Sequence, residues 1–142
     1  MNLTRRHFTA ALGASALTLP SLRVASADDG FVALSAGPAK AQLLAEGEPQ
    51  TDVWAYGKSV PGPVLRVRQG ERLKVRFFNE LPQASTVHWH GIRIDNAMDG
   101  VAGLTQDAVP AGKSFDYDFV APDAGTYWYH PHSRTWEQLA RG

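Results

Sequence analysis

His88-Trp89-His90-Gly91 and His130-Pro131-His132-Ser133 are the segments of this chain best equipped for chemistry. They are two His-x-His pairs, and they take up four of the five histidines in the sequence. Each lies in a stretch with strand character. On a strand, residues two apart face the same side and sit ~7 Å apart along the backbone. Each pair therefore presents two imidazoles side by side, and imidazole suits copper, zinc, iron and nickel. Metal binding is the chemistry to expect. The plain alternative is a set of cross-strand histidines bound to nothing.

The elements that must position these side chains read as strands. Leu65 and Val67 alternate with Arg66 and Arg68. Leu73, Val75 and Phe77 alternate with Arg72, Lys74 and Arg76, and Phe115, Tyr117 and Phe119 alternate with Asp116 and Asp118. This is the period of a half-buried strand. Turn signals separate the runs at Pro61-Gly62-Pro63, Gln69-Gly70, Pro110-Ala111-Gly112 and Pro122-Asp123-Ala124-Gly125. Residues 32–34, 39–44 and 53–56 supply earlier strands. The pattern predicts an all-β domain, an antiparallel sandwich with Greek-key connections.

Residues 95–113 form a long loop, and loops of that length in compact domains are commonly functional. Residues 135–141 begin a short helix that reaches Gly142, so the domain is expected to lack at least one closing strand. His88 and His90 share one face of their strand while Trp89 faces the other way. His130 and His132 follow the run Gly125-Thr126-Tyr127-Trp128-Tyr129, and Pro131 ends regular pairing because it has no backbone donor. If the two strand ends are neighbours, four imidazoles converge at one rim. Such a pair can reach one metal, or one each of two metals ~3.5–4 Å apart.

The start of the chain has a different character. Arg5-Arg6 with His7-Phe8 forms a twin-arginine pattern, a weakly apolar run reaches Pro20, and Ala25-Ser26-Ala27 is a small-x-small cleavage signature. The expected division is a signal peptide over 1–27, which sends the protein to the periplasm or otherwise out of a bacterial cell by the twin-arginine route, and one domain over 28–142. The apolar run is shorter than the ~20 residues of a membrane span, so no membrane partner is expected after cleavage. The alternative is an amphipathic anchor that stays attached.

The whole chain carries 14 basic and 14 acidic residues. That balance offers none of the clustered basic surface a nucleic-acid partner requires. The basic residues Arg66, Arg68, Arg72, Lys74 and Arg76 alternate with apolar ones, as a solvated strand face does. Cysteine is absent, which excludes both a disulfide and a thiolate ligand.

The stretch STVHWHGIRIDNAMDGVAGLTQDAVPAGKSFDYDFVAPDAGTYWYHPHSRTWEQLARG resembles the N-terminal cupredoxin domain of the multicopper oxidases, the laccase-like family. PGPVLRVRQGERLKVRFFNEL, just upstream, is similar to the earlier strands of the same domain. The resemblance implies a cupredoxin-type Greek-key sandwich or barrel and copper as cofactor. It makes His88 a ligand of a type 2 copper, and His90, His130 and His132 ligands of type 3 copper. Asp99, in Met98-Asp99-Gly100, matches the family's acidic residue near the trinuclear cluster, a catalytic group thought to help deliver protons to reduced oxygen; its plain alternative is an Asp-Gly turn. Trp89, Trp128 and Tyr129 are expected to pack rather than to relay electrons.

The family's trinuclear cluster lies between two cupredoxin domains and uses twice as many histidines as this chain offers. Its type 1 copper needs a cysteine in a His-Cys-His segment near the C-terminal end, and blue-copper sites generally need that thiolate. This chain therefore holds half a cluster. One expectation is a domain of an oxidase that couples one-electron oxidation of phenols or metal ions to reduction of dioxygen to water, partnered by a missing C-terminal cupredoxin domain. Another is a stand-alone periplasmic copper-binding or tolerance protein without oxidase activity. A third pairs two copies of the chain across a two-fold axis to complete one site. A blue-copper carrier is excluded by the missing thiolate. Three histidines and a water could hold zinc, but no paired general base accompanies them beyond Asp99.

Overall fold

The computed structural model describes residues 29–142, so the twin-arginine segment and its cleavage site lie outside the described residues. Six strands run in the order β1 (Val32–Ala41), β2 (Thr51–Tyr56), β3 (Arg72–Asn79), β4 (His88–His90), β5 (Ser114–Val120) and β6 (Trp128–His130), followed by a short helix α1 (Thr135–Gln138). They form two sheets, a four-stranded one in the order β2-β1-β3-β5 and a two-stranded one of β4 and β6. Neighbours are antiparallel except β1 and β3, which run parallel, so the chain crosses over between them. Among the described residues no helix is long and apolar enough to cross a membrane.

The alternation seen in the sequence sorts the large sheet into a dry face and a wet one. Leu34, Val75, Phe77, Tyr117 and Phe119 point inward and are buried. Arg72, Lys74 and Arg76 point outward opposite the acidic positions of β5, with Lys74 facing Asp118 and Arg76 facing Asp116 in register. Arg76 forms a fork to Asp116 and also reaches Asp29 at 2.6 Å. Arg72, Lys74 and Arg76 thus form a solvated, ion-paired strand face, as expected, whereas Arg66 and Arg68 of the same basic run are exposed but lie outside the strands.

The small sheet closes over the dry face. Trp89 of β4 is 2% exposed and meets Tyr117, Phe119 and Tyr129 with ring centroids 5.1–5.8 Å apart. Three tyrosine hydroxyls brace this sheet against its surroundings. Tyr117 accepts a hydrogen bond from the Val87 amide at 2.9 Å, Tyr56 donates to the Thr86 carbonyl at 2.9 Å, and Tyr129 donates to the Pro63 carbonyl at 2.8 Å. Burial pushes the Tyr117 phenol up to about 12, so it stays protonated.

Three details differ from the sequence reading, the first being that β1 and β3 pair in parallel where an antiparallel sandwich is expected. The expected strands 32–34 and 39–44 are one strand, β1, running through Gly37 and Pro38 and ending at Ala41. It pairs with β3 only as far as Ala36, and with β2 from Ala36 onward. Pro38 therefore falls where a single neighbour lies alongside, the situation in which a strand tolerates a residue without N–H. Residues 65–68 alternate inward and outward, and Leu65 packs on the core, yet they join no ladder among the described residues. Alternation reports which side is buried; it does not report a pairing partner.

Candidate metal centre

β4 and β6 pair antiparallel with His88 opposite His130, Trp89 opposite Tyr129, and His90 opposite Trp128. Because side chains alternate, burying Trp89 and Tyr129 forces His88, His90 and His130 onto the other face together. The neighbouring strand ends expected from the two motifs are therefore present, and the imidazoles do converge. The rings of His90, His130 and His132 lie 5.6, 5.2 and 5.2 Å from that of His88. Ligand nitrogens of His88, His90 and His130 all lie within 4.8 Å of one another. His132 stands outside that triplet, its ring 6.0 Å from that of His130.

Which nitrogen each ring offers follows from its hydrogen bonds. His88 Nδ1 is 2.7 Å from the Asp99 main-chain carbonyl, an acceptor only, so it carries the proton and Nε2 is bare. His130 Nδ1 faces the Pro131 carbonyl at 3.0 Å, which likewise frees Nε2. His90 Nδ1 approaches that Nε2 at 3.2 Å. Two nitrogens each ~2.0–2.1 Å from a tetrahedral ion would be separated by ~3.3–3.4 Å, so His90 Nδ1 and His130 Nε2 are spaced as two ligands of one ion. This donor set of bare imidazole nitrogens, with no thiolate, fits copper.

The surroundings of His130 favour the neutral imidazole that metal binding needs. His130 is buried, and that burial lowers its pKa; the Pro131 carbonyl opposes the shift, and the charges of His88, His90 and His132 add to it. His90 and His132 are exposed, so the cluster opens at the rim of the domain. Trp128 stacks on His130 with centroids 4.1 Å apart and lies 5.0 Å from His90. Being 52% exposed, it packs on the imidazoles rather than in the core, whereas Trp89 packs as expected.

The segment after β6 is tied down by groups the sequence reading did not single out. The His132 amide donates to Thr86 Oγ1 at 3.0 Å. Buried Gln138 of α1 accepts from Ser85 Oγ at 2.8 Å and donates to the Ala84 carbonyl at 2.9 Å. Thr86 thus holds the His132 main chain beside the approach to β4, and Gln138 ties α1 to the same approach at Ala84 and Ser85. Nothing in their residue type announces this, since the partners are some fifty residues apart. The 95–113 loop carries Asp99 to the site, with its Oδ1 3.3 Å from His88 Nδ1.

A two-sheet β-domain with a histidine-lined rim is the architecture of a cupredoxin-type copper domain. The family model for multicopper oxidases (Cu-oxidase_3) matches residues 39–142, and the chain belongs to the multicopper oxidase family, whose cofactor is copper. It is 41% identical over 99 residues to multicopper oxidase MmcO of Mycobacterium tuberculosis, covering 70% of this chain and 19% of that one. It is 37% identical over 102 residues to a copper resistance protein A homolog of Pseudomonas syringae pv. tomato, covering 67% and 17%. Among solved structures, Lac15 from a marine microbial metagenome is 59% identical with a TM-score of 0.74, covering 78% of this chain and 30% of that chain. A multi-copper oxidase from Pseudomonas thermotolerans is 47% identical with a TM-score of 0.73, covering 78% and 26%. The chain thus spans about a fifth of the length of the curated relatives it matches.

Proposed function

We propose that this chain is the first cupredoxin domain of a longer multicopper oxidase and contributes half the ligands of its trinuclear copper site. The observation that carries the reading is the convergence of the two His-x-His pairs across β4 and β6, with His90 Nδ1 and His130 Nε2 3.2 Å apart. In this reading His88 ligates the type 2 copper through Nε2, and His90, His130 and His132 ligate the type 3 pair. Bound copper would supply the one-electron chemistry that couples substrate oxidation to reduction of dioxygen to water.

The chain's own residues hold and orient the ligands. Trp128 covers two of them, and Asp99 keeps a carboxylate beside His88 where protons could be delivered to reduced oxygen. The remaining ligands and the electron-entry site would come from a C-terminal cupredoxin domain, or the remaining ligands alone from a second copy of the chain. We also infer twin-arginine export to the periplasm, with cleavage after Ala27, from the pattern at Arg5-Arg6 and Ala25-Ser26-Ala27.

A second reading is a stand-alone periplasmic copper-binding or tolerance protein; the names of the copper resistance relatives speak for its tolerance role alone, since this chain spans 17% and 14% of their length. Reading the native gene past codon 142 separates the two. An open frame continuing to a His-Cys-His segment supports the oxidase; a stop codon at that point supports the stand-alone copper protein.

A further inference from the structure

The segment that brings Asp99 to His88 is built as a strap. Asp95 Oδ1 accepts from the Ala97 amide at 2.9 Å, the Asp95 carbonyl accepts from Met98 N at 2.9 Å, and the Asn96 carbonyl accepts from Asp99 N at 3.1 Å, giving one tight turn. Met98 packs against the core and its Sδ accepts from the Asp118 amide at 3.3 Å, which fastens the strap to β5. Gly100, which is buried, closes it with φ +78°. A Cβ built there would lie 1.8 Å from the Val87 carbonyl oxygen and 2.5 Å from its carbon. The strap therefore rests directly on the peptide that leads into His88. Two features exclude a side chain at this position, the left-handed backbone and the absence of space.

The contact this produces is the one from the Asp99 carbonyl to His88 Nδ1, at 2.7 Å. The Asp99 carboxylate is further away, at 3.3 Å, so the main chain rather than the side chain is the principal acceptor. Histidines that bind metals commonly donate their other ring N–H to a carbonyl or carboxylate, which fixes tautomer and ring orientation; losing such a partner lowers metal affinity roughly 10- to 100-fold.

We propose that Gly100 is a positioning residue for the copper site: by seating the strap on the Val87–His88 peptide it holds the Asp99 carbonyl against Nδ1 and presets His88 to bind through Nε2. The inference rests on the copper reading of the four histidines. It assigns Asp99 two separable parts, a backbone that orients His88 and a side chain available to protons. An alanine at 100 would have to open the contact from 1.8 Å to at least the 3.0 Å that real Cβ atoms keep, a displacement large enough to break the 2.7 Å hydrogen bond.

The test is imidazole nitrogen NMR on the metal-free full chain with labelled histidine, at a pH where His88 is neutral, for the wild type, Asp99→Ala and Gly100→Ala. The wild type is expected to hold His88 as the Nδ1–H tautomer alone, and Asp99→Ala to keep it, because the carbonyl remains. Gly100→Ala is expected to give a mixture of tautomers and to bind copper(II) roughly 10- to 100-fold more weakly. A wild-type His88 in the Nε2–H form overturns the proposal. So does an Asp99→Ala chain whose tautomers scramble, since the carboxylate would then be the acceptor. A Gly100→Ala chain that folds and keeps both the Nδ1–H tautomer alone and the wild-type copper(II) affinity overturns it as well; if that chain does not fold, the wild type and Asp99→Ala still test the carbonyl contact on which the proposal stands. A wild type with the Nδ1–H tautomer that takes up no copper refutes the copper reading while supporting the preset of His88.

Discussion

Replacing Trp89 with alanine should both destabilise the domain and loosen its metal site, because this one ring sets the phase of β4. It sits between His88 and His90, is 2% exposed, and touches Tyr117, Phe119 and Tyr129. A tryptophan buries on the order of 150–250 Å², worth about 4–6 kcal/mol at about 25 cal/mol per Å². Allowing for area already buried in the unfolded chain brings this to about 3–5 kcal/mol, the range seen for large aromatic-to-alanine changes in cores.

Against a typical total of about 5–15 kcal/mol, that loss is severe and should be plain in urea unfolding. Trp89→Phe is the control. It keeps an aromatic ring in the core and removes the indole Nε1, which finds no hydrogen-bond partner among the described residues; an unpaired buried donor costs about 1–3 kcal/mol. The phenylalanine variant should therefore be at least about 2 kcal/mol more stable than the alanine one. The reasoning is refuted if Trp89→Ala costs less than about 1 kcal/mol, or if both variants lose the same stability.

Other consequences are more local. Because burial lowers the pKa of His130 below its ordinary 6.5, the unfolded chain binds a proton there more readily than the folded one. Metal-free stability should be full above pH 6.5 and decline as pH falls toward the folded pKa, and His130→Gln should flatten that slope in chemical denaturation at several pH values. Copper affinity should fall over the same range, since protonated imidazole does not ligate; a pH-independent affinity in calorimetry would contradict this. Gln138→Ala leaves the Ser85 hydroxyl without its buried partner, so a loss of about 1–3 kcal/mol is expected in urea unfolding. Arg93 forks to Asp123 and holds its carboxyl below the usual range; that contribution is present above the ordinary carboxylate pKa and is lost as pH falls through the lowered value. Arg93→Ala should therefore narrow the stability difference between pH 5 and pH 2, read by thermal unfolding.

The site was legible because its chemistry is local. His88 with His90, and His130 with His132, announce a shared face by spacing alone, and the flanking Trp89 and Tyr129 show which face is dry. The large sheet was legible for the same reason: Val75 and Phe77 alternate with Lys74 and Arg76, and Tyr117 and Phe119 with Asp116 and Asp118. What escaped depends on contacts between distant parts of the chain. Neither the parallel pairing of β1 with β3 nor the pairing with β2 that carries β1 through Pro38 leaves a trace in the local pattern. Residues 65–68 have the strand period without a ladder because burial on one side produces it equally well. Gly100 looks like any glycine after an aspartate, and only its contact with Val87 distinguishes it.

The central claim is that the four histidines form a copper site, and copper K-edge X-ray absorption on the loaded full chain tests it most directly. The account predicts a first shell rich in imidazole nitrogen at ~2.0 Å, with the multiple-scattering signature of histidine, that disappears when His88 and His90 are both replaced by alanine. A shell of oxygen alone, or an imidazole shell unchanged in the double variant, would contradict it.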